Sequence, residues 1–202
     1  GEALETRGQG YRLCVERGFG VRGFGAVATG TTLGGGCRRN DGVAVLPAGR
    51  PAKIRFIQVY GQEREEARPG ERTAMNLAGV EPAELARGMV VAPAGEFTPS
   101  SIFNAEFHLL KSFGKPLRDL LPAHIYHGSA ELLGRIQFLE GDRLEPGTTA
   151  LVQVRLESPA LVWPGDHFVV RQYSPLVTMG GGRVMENHAA RVRKKDAGAV
   201  VP

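Results

Sequence analysis

The chain has 202 residues, 42% of them hydrophobic and 23% charged, with a formal net charge of +4. That length holds one large or two small domains and that composition buries an ordinary core, which excludes fibrous, low-complexity and disulfide-scaffold classes. Its two cysteines, Cys14 and Cys37, have no Cys or His at ligand spacing, and no apolar run reaches the ~18 residues of a membrane span. With no signal peptide either, the chain reads as a cytoplasmic protein with no membrane contact. It opens at Gly1 with polar residues to Gln9, as a piece of something longer would.

Taken in order, the segments are short and are punctuated by Gly, Pro, Asp and Asn every 8–12 residues. Tyr11–Val15 alternates as a strand does. The stretch from Glu16 to Thr31 then offers two readings. Gly18, Gly20 and Gly23 spell G-x-G-x-x-G, but a dinucleotide site needs a helix immediately after it. The residues after it, Ala26 to Leu33, are β-branched and end in Gly34-Gly35-Gly36, so the expectation is strand, glycine loop, strand. Val43–Leu46 ends at Pro47-Ala48-Gly49. Lys53–Tyr60 alternates strictly, a half-buried strand with Lys53 and Arg55 on its outer face. Arg72–Leu77 is entered through the turn Arg68-Pro69-Gly70-Glu71. One short helix is predicted at Glu81–Arg87, with Pro82 at its start and Gly88 past its end.

At Ala92-Pro93-Ala94-Gly95 the pattern breaks, which places a hinge near Pro93. A second strand series begins beyond it: Ile102–Leu110, Ala123–His127, Ala130–Leu139, Thr149–Leu156, Asp166–Tyr173 and Gly182–Met185. After Glu186, Arg191, Arg193, Lys194 and Lys195 form a basic tail. The reading is an all-β chain, with one barrel over 10–94, a second over 97–186, a tail over 187–202, and less than about a tenth of the chain helical.

No catalytic constellation is present. G-x-x-x-x-G-K-[ST] does not occur, and Gly114-Lys115 runs into Pro116. Ser100, Ser101, Ser112 and Ser158 lack a nucleophile elbow, and the five histidines have no metal spacing; on a strand His124 and His127 face opposite ways.

Several stretches, in this order, carry a resemblance. The first half holds the glycine loop, Ile57-Gln58-Val59-Tyr60-Gly61-Gln62, Glu65-Glu66-Ala67-Arg68-Pro69-Gly70, Asn76-Leu77-Ala78-Gly79-Val80 and Leu85-Ala86-Arg87-Gly88. The second holds His127-Gly128-Ser129-Ala130-Glu131, Arg171-Gln172-Tyr173-Ser174-Pro175 and Thr178-Met179-Gly180-Gly181-Gly182-Arg183-Val184. Together they resemble domains two and three of the elongation factor Tu-like translational GTPases. The Tyr-Ser-Pro and Thr-x-Gly-Gly-Gly ending is most similar to the selenocysteine-specific elongation factors. The resemblance implies two consecutive translation-factor-type Greek-key barrels that hold the selenocysteinyl end and the acceptor and T arm of the tRNA. It implies no cofactor and no enzymatic activity in this chain, GTP and Mg²⁺ belonging to a separate GTPase domain. Selenocysteinyl-tRNA, that GTPase domain, the ribosome and a selenocysteine-insertion mRNA element are the implied partners.

The resemblance also assigns residues. Glu16, Arg17 and Arg72 map onto an acidic-basic set at the aminoacyl group, where two guanidiniums bracketing one carboxylate suit a selenolate. Phe19 and Phe24 flank the glycine loop beside that group, with Gly18 and Gly20 in place of larger residues and so with a looser backbone. His127, Ser129, Arg135, Arg171, Ser174, Thr178 and the amides around Gly180 in a flexible turn are the implied tRNA contacts, of the phosphate-reading kind. By themselves the same residues also read as a surface ion pair, core aromatics and a hairpin end, and Lys53, Arg55, Arg64 and Arg68 as a solvated face. Another tRNA-carrying translational GTPase arm, such as the initiator-tRNA carrier, or an interaction module without RNA are the rival readings.

Overall fold

Strands account for nearly all the regular structure in this computed structural model, which describes residues 10–192. The chain divides between Thr98 and Pro99 into two compact units.

The first unit contains β1 (Arg12–Val21), β2 (Gly25–Leu33), β3 (Cys37–Arg38), β4 (Gly42–Leu46), β5 (Arg50–Val59), β6 (Gln62–Arg64), β7 (Glu66–Ala67), β8 (Arg72–Ala78) and β9 (Val90–Pro93). Its main sheet runs β4-β9-β1-β2-β8-β5, the β4–β5 pairing closes it into a barrel, and β6 extends β5 as a hairpin. Every pairing is antiparallel. Alternation supplies the core: Leu13, Val15, Ala26, Ala28, Ile54, Ile57, Met75, Leu77 and Val91 point inward and are at most 2% exposed. Pro93, expected at a hinge, pairs with Val43 inside β9.

The predicted helix over Glu81–Arg87 is only a single 3-10 turn, Pro82–Glu84. The Glu84 side chain accepts a hydrogen bond from the Glu81 amide, but the chain then turns extended at Leu85. Leu85 is drawn into the barrel core, and its burial outweighs propensity in so short a segment.

The second unit contains β10 (Ser100–Leu109), β11 (Leu117–Arg118), β12 (Leu121–His127), β13 (Ala130–Phe138), β14 (Arg143–Leu144), β15 (Thr149–Ala160), β16 (His167–Gln172) and β17 (Thr178–Asn187). A closed barrel of order β10-β15-β13-β12-β16-β17 encloses Phe103, Phe107, Leu109, Ile125, Ile136, Val152, Val154, Val170 and Met179. Phe103 and Phe168 meet edge-to-face at 5.7 Å in its centre.

Two glycine groups expected in loops lie in strands. Gly18 and Gly20 are inside β1, and a Cβ at Gly18 would stand 2.3 Å from the Leu85 Cβ. Close approach of the neighbouring chain, not backbone freedom, requires glycine there. Gly180–Gly182 likewise belong to β17, and a Cβ at Gly180 would lie 2.1 Å from the His108 carbonyl oxygen. Beyond β17, the strip assigned to a tail docks on the barrel as far as Val192. Gln153 donates to the Ala190 carbonyl at 2.9 Å and accepts from the Val192 amide at 3.1 Å. Arg155 donates to the Val192 carbonyl at 2.6 Å. Arg193, Lys194 and Lys195 lie outside the described residues.

Candidate functional site

Two irregularities in the first barrel build the site. The β1–β2 register slips between Val15 and Arg17, which makes Glu16 a bulge, and the β5–β8 register slips between Ile54 and Phe56, which makes Arg55 another. A bulge adds one residue to one strand and re-aims the side chains beside it. Arg17 pairs with Thr29 on β2, and Arg72 pairs with Thr31 on the same strand from the other side. The two arginines therefore flank β2 on the barrel's outer surface. Glu16 reaches across to Arg72, its Oε2 2.7 Å from Nη1.

Arg17, Phe19, Thr29, Gln58, Tyr60, Gly61, Arg72, Thr73 and Ala74 line one cavity of about 360 Å³. Arg72 keeps 57% of its side chain exposed there, and Glu16 keeps 30%. The charge at the cavity is two guanidiniums against one carboxylate. Tyr60 forms part of the wall from an unusual position, with φ 50° next to Gly61 at φ 79° in the tight β5–β6 turn, and it is 74% exposed. Both residues need positive φ in such a turn, which Asn-Gly fills at least cost, so a tyrosine is a strained choice.

Phe19, Gln58 and Ala74 also belong to a second cavity of about 360 Å³, completed by Val21, Phe24, Val27, Phe56, Glu63 and Asn76. This one is mostly apolar. Phe24 meets Phe56 edge-to-face at 6.1 Å, and Asn76 fixes the β1–β2 turn by donating to the Phe24 carbonyl at 2.6 Å. The Asn76 Oδ1 is buried without a hydrogen-bond partner.

The residues singled out in the second barrel occupy quite different settings. His127 is 8% exposed and its Nε2 lies 2.9 Å from the Asp166 carboxylate, which also accepts the Trp163 amide at 2.9 Å. Ser129 Oγ is buried with no hydrogen-bond partner. Arg171 donates to the Leu176 carbonyl at 3.0 Å and lies over the Tyr126 ring, 5.8 Å from its centroid. The Ser174 carbonyl accepts from Gln172 at 2.6 Å in the same loop. Gly180 is buried and paired with both Val170 and Leu109, so its place is a ladder and not a flexible turn. Thr178 and Arg135 are exposed, and Arg135 has no ion pair among the described residues.

The structure thus brings Glu16, Arg17, Phe19 and Arg72 together, with Phe24 in the adjoining cavity. Thr29, Phe56, Gln58, Tyr60, Thr73 and Asn76 were missed by reading the sequence for function. The Tyr60-Gly61 pair was the one local signal, since it separates two alternating runs like a hairpin turn.

Two tandem antiparallel barrels, the first with a cation-lined cavity, have the fold of the barrel pair of elongation-factor-type translation proteins. The crystal structure of a bacterial selenocysteine-specific elongation factor, EF-Sec, superimposes with a TM-score of 0.80 at 25% identity, covering 98% of this chain and 33% of that one. The family described as selenocysteine-specific elongation factor, beta-barrel domain, matches residues 105–191. The selenocysteine-specific elongation factor of Desulfomicrobium baculatum is 42% identical over 192 residues, which are 95% of this chain and 30% of that protein. Elongation factor Tu 2 of Streptomyces avermitilis is 30% identical over 178 residues, 86% of this chain and 45% of that protein. The second barrel matches the selenocysteine-specific elongation factor barrel family, both barrels are similar to those of such factors, and the chain spans about 30% of the length of the Desulfomicrobium relative.

Proposed function

We propose that the first barrel holds the selenocysteinyl end of selenocysteinyl-tRNA, with the anionic side chain in the cavity between Arg17 and Arg72. The observation that carries this reading is that both guanidiniums line one cavity while Glu16 holds Arg72 at 2.7 Å. A selenol is ionised at neutral pH, whereas the hydroxyl of a seryl group in its place is neutral. One carboxylate orients one guanidinium and leaves a net positive charge for the bound anion. Thr29, Thr73 and Gln58 add neutral hydrogen-bonding groups and Phe19 an apolar wall. The amino acid is esterified to the terminal nucleoside, so its base falls next to the first cavity. The apolar cavity sharing Phe19, Gln58 and Ala74 suits such a base, and the buried Asn76 Oδ1 suits its exocyclic amino group.

The second barrel offers Arg135, Thr178 and Arg183 as exposed groups for the phosphates of the acceptor and T arm. GTP and Mg²⁺ have no phosphate loop among these 202 residues, so their binding belongs to a GTPase domain outside this chain. Through that domain and the rest of such a factor, the barrels would meet the ribosome and the mRNA element. The test is the affinity of this chain for selenocysteinyl-, seryl- and uncharged tRNA across a salt series. A preference for the selenocysteinyl form that disappears in Arg72→Ala supports the reading, and equal affinity for all three overturns it.

A further inference from the structure

A third cavity continues the row. It measures about 420 Å³, is lined by Arg39, Asn40, Arg55, Phe56 and Glu65, and shares Phe56 with the apolar cavity. The three cavities run in order along the first barrel: cationic beside Arg17 and Arg72, apolar beside Phe19 and Phe24, then mixed beside Arg39 and Arg55.

The chemistry of the third is specific. The Arg39 guanidinium lies over the Phe56 ring at 4.6 Å from its centroid, while its Nη1 is 3.3 Å from Glu65 Oε1 and 3.6 Å from Glu63 Oε1. Two carboxylates neutralise Arg39, so it acts as a flat stacking surface more than as a phosphate clamp. Arg55 sits on the β5 bulge, exposed, and has no ion pair among the described residues, so a cation remains for a phosphate. Glu65 is 79% exposed at the same cavity and presents an acceptor that an amino group satisfies. A planar base on Arg39, an amino group on Glu65 and a phosphodiester on Arg55 are together the requirements of one nucleotide.

We propose that this cavity is a nucleotide subsite for the cytidine that precedes the terminal adenosine of tRNA. This rests on the reading that the charged tRNA end lies along the first two cavities. The cytosine ring stacks on Arg39, its N4 amino group donates to the Glu65 carboxylate, and Arg55 receives the adjoining phosphodiester. Uracil presents a carbonyl oxygen where cytosine has the amino group and so faces the carboxylate with a second acceptor. The subsite therefore reads base identity at the penultimate position, which a purely electrostatic groove does not.

The experiment uses this chain and selenocysteinyl-tRNA rebuilt by ligation with either C or U before the terminal adenosine, each also prepared uncharged. Wild-type chain is expected to bind the C form about tenfold more tightly than the U form. Glu65→Ala should reduce that ratio to below about twofold, because the group that distinguishes the bases is gone. Arg55→Ala should weaken both forms alike and make the salt dependence shallower by about one phosphate contact. Equal affinity of wild type for C and U, or a ratio that survives Glu65→Ala, overturns the subsite. A retained C preference with no difference between charged and uncharged tRNA supports the subsite and sinks the aminoacyl reading instead. Failure to bind any tRNA overturns both.

Discussion

The first barrel leaves Arg17 and Arg72 facing an open cavity, whereas the second uses Arg171 and His127 within its own fold. Arg17 and Arg72 line one cavity and Glu16 satisfies only part of their charge. Arg171 instead fixes the Leu176 carbonyl, and His127 sits against Asp166 with 8% of its surface exposed. A cation is available to a ligand when it lines an open cavity and its own fold has not already desolvated it, as burial has desolvated the Arg171 Nε. Composition counts all of these residues alike.

The contrast is easiest to break at Asp166. Asp166→Ala strips the partner from buried His127 and the acceptor from the Trp163 amide, and should destabilise the second barrel by about 3 kcal/mol. Denaturant melts check it; a loss under about 1 kcal/mol would mean that His127 is not structural.

Next in size is a pH effect in the first barrel. Burial pushes the Cys37 thiol from its ordinary 9.0 up to about 11. The folded state thus keeps a proton that the unfolded chain releases. Stability is intact below about pH 9 and should fall by about 2 kcal/mol as pH rises toward 11. Burial shifts the Tyr11 phenol upward too, adding a loss at still higher pH. Melts of wild type and Cys37→Ala between pH 8 and 11 are the measurement, and parallel curves would remove the thiol from the account.

Arg72→Ala sharpens the comparison from the ligand side. Its side chain is 57% exposed, so solvent screens part of its charge, and the expected cost is about tenfold in affinity for the selenocysteinyl form. The seryl form should lose less than about threefold and stability should barely change. Equal losses for both forms would refute selective anion recognition.

The smallest effect separates two arginines of the second barrel. Arg135→Ala should make the salt dependence of tRNA binding shallower by about one contact, since that residue is exposed and has no ion pair among the described residues. Arg171→Ala should weaken binding with the slope unchanged, because its bond to Leu176 holds the Tyr173–Val177 loop in shape. A shallower slope for Arg171→Ala would return it to the phosphate contacts.

Much of the fold was legible because turn residues recur every 8–12 positions and the runs between them alternate. The candidate set Glu16, Arg17 and Arg72 came from family resemblance and not from periodicity. Reading failed where a short segment's neighbours decide its form. The Glu81–Arg87 helix shortened to Pro82–Glu84 because burying Leu85 against the barrel outweighs helix propensity. Gly180–Gly182 looked like a turn by composition, yet glycine is required there by the carbonyls of the neighbouring strands.

The sequence by itself determined that the chain is all-β and lacks a phosphate loop, because alternation and turn chemistry act over a few residues. Tertiary structure alone decided which charges meet. Strict alternation puts Lys53 and Arg55 on one face, but the bulge at Arg55 brings Phe56 into the cavity wall, and the bulge at Glu16 joins β1 to Arg72 across β2. A bulge arises when one strand carries an extra residue against its partner, and that pairing is set by strands that are separate in the chain and meet only in the folded barrel.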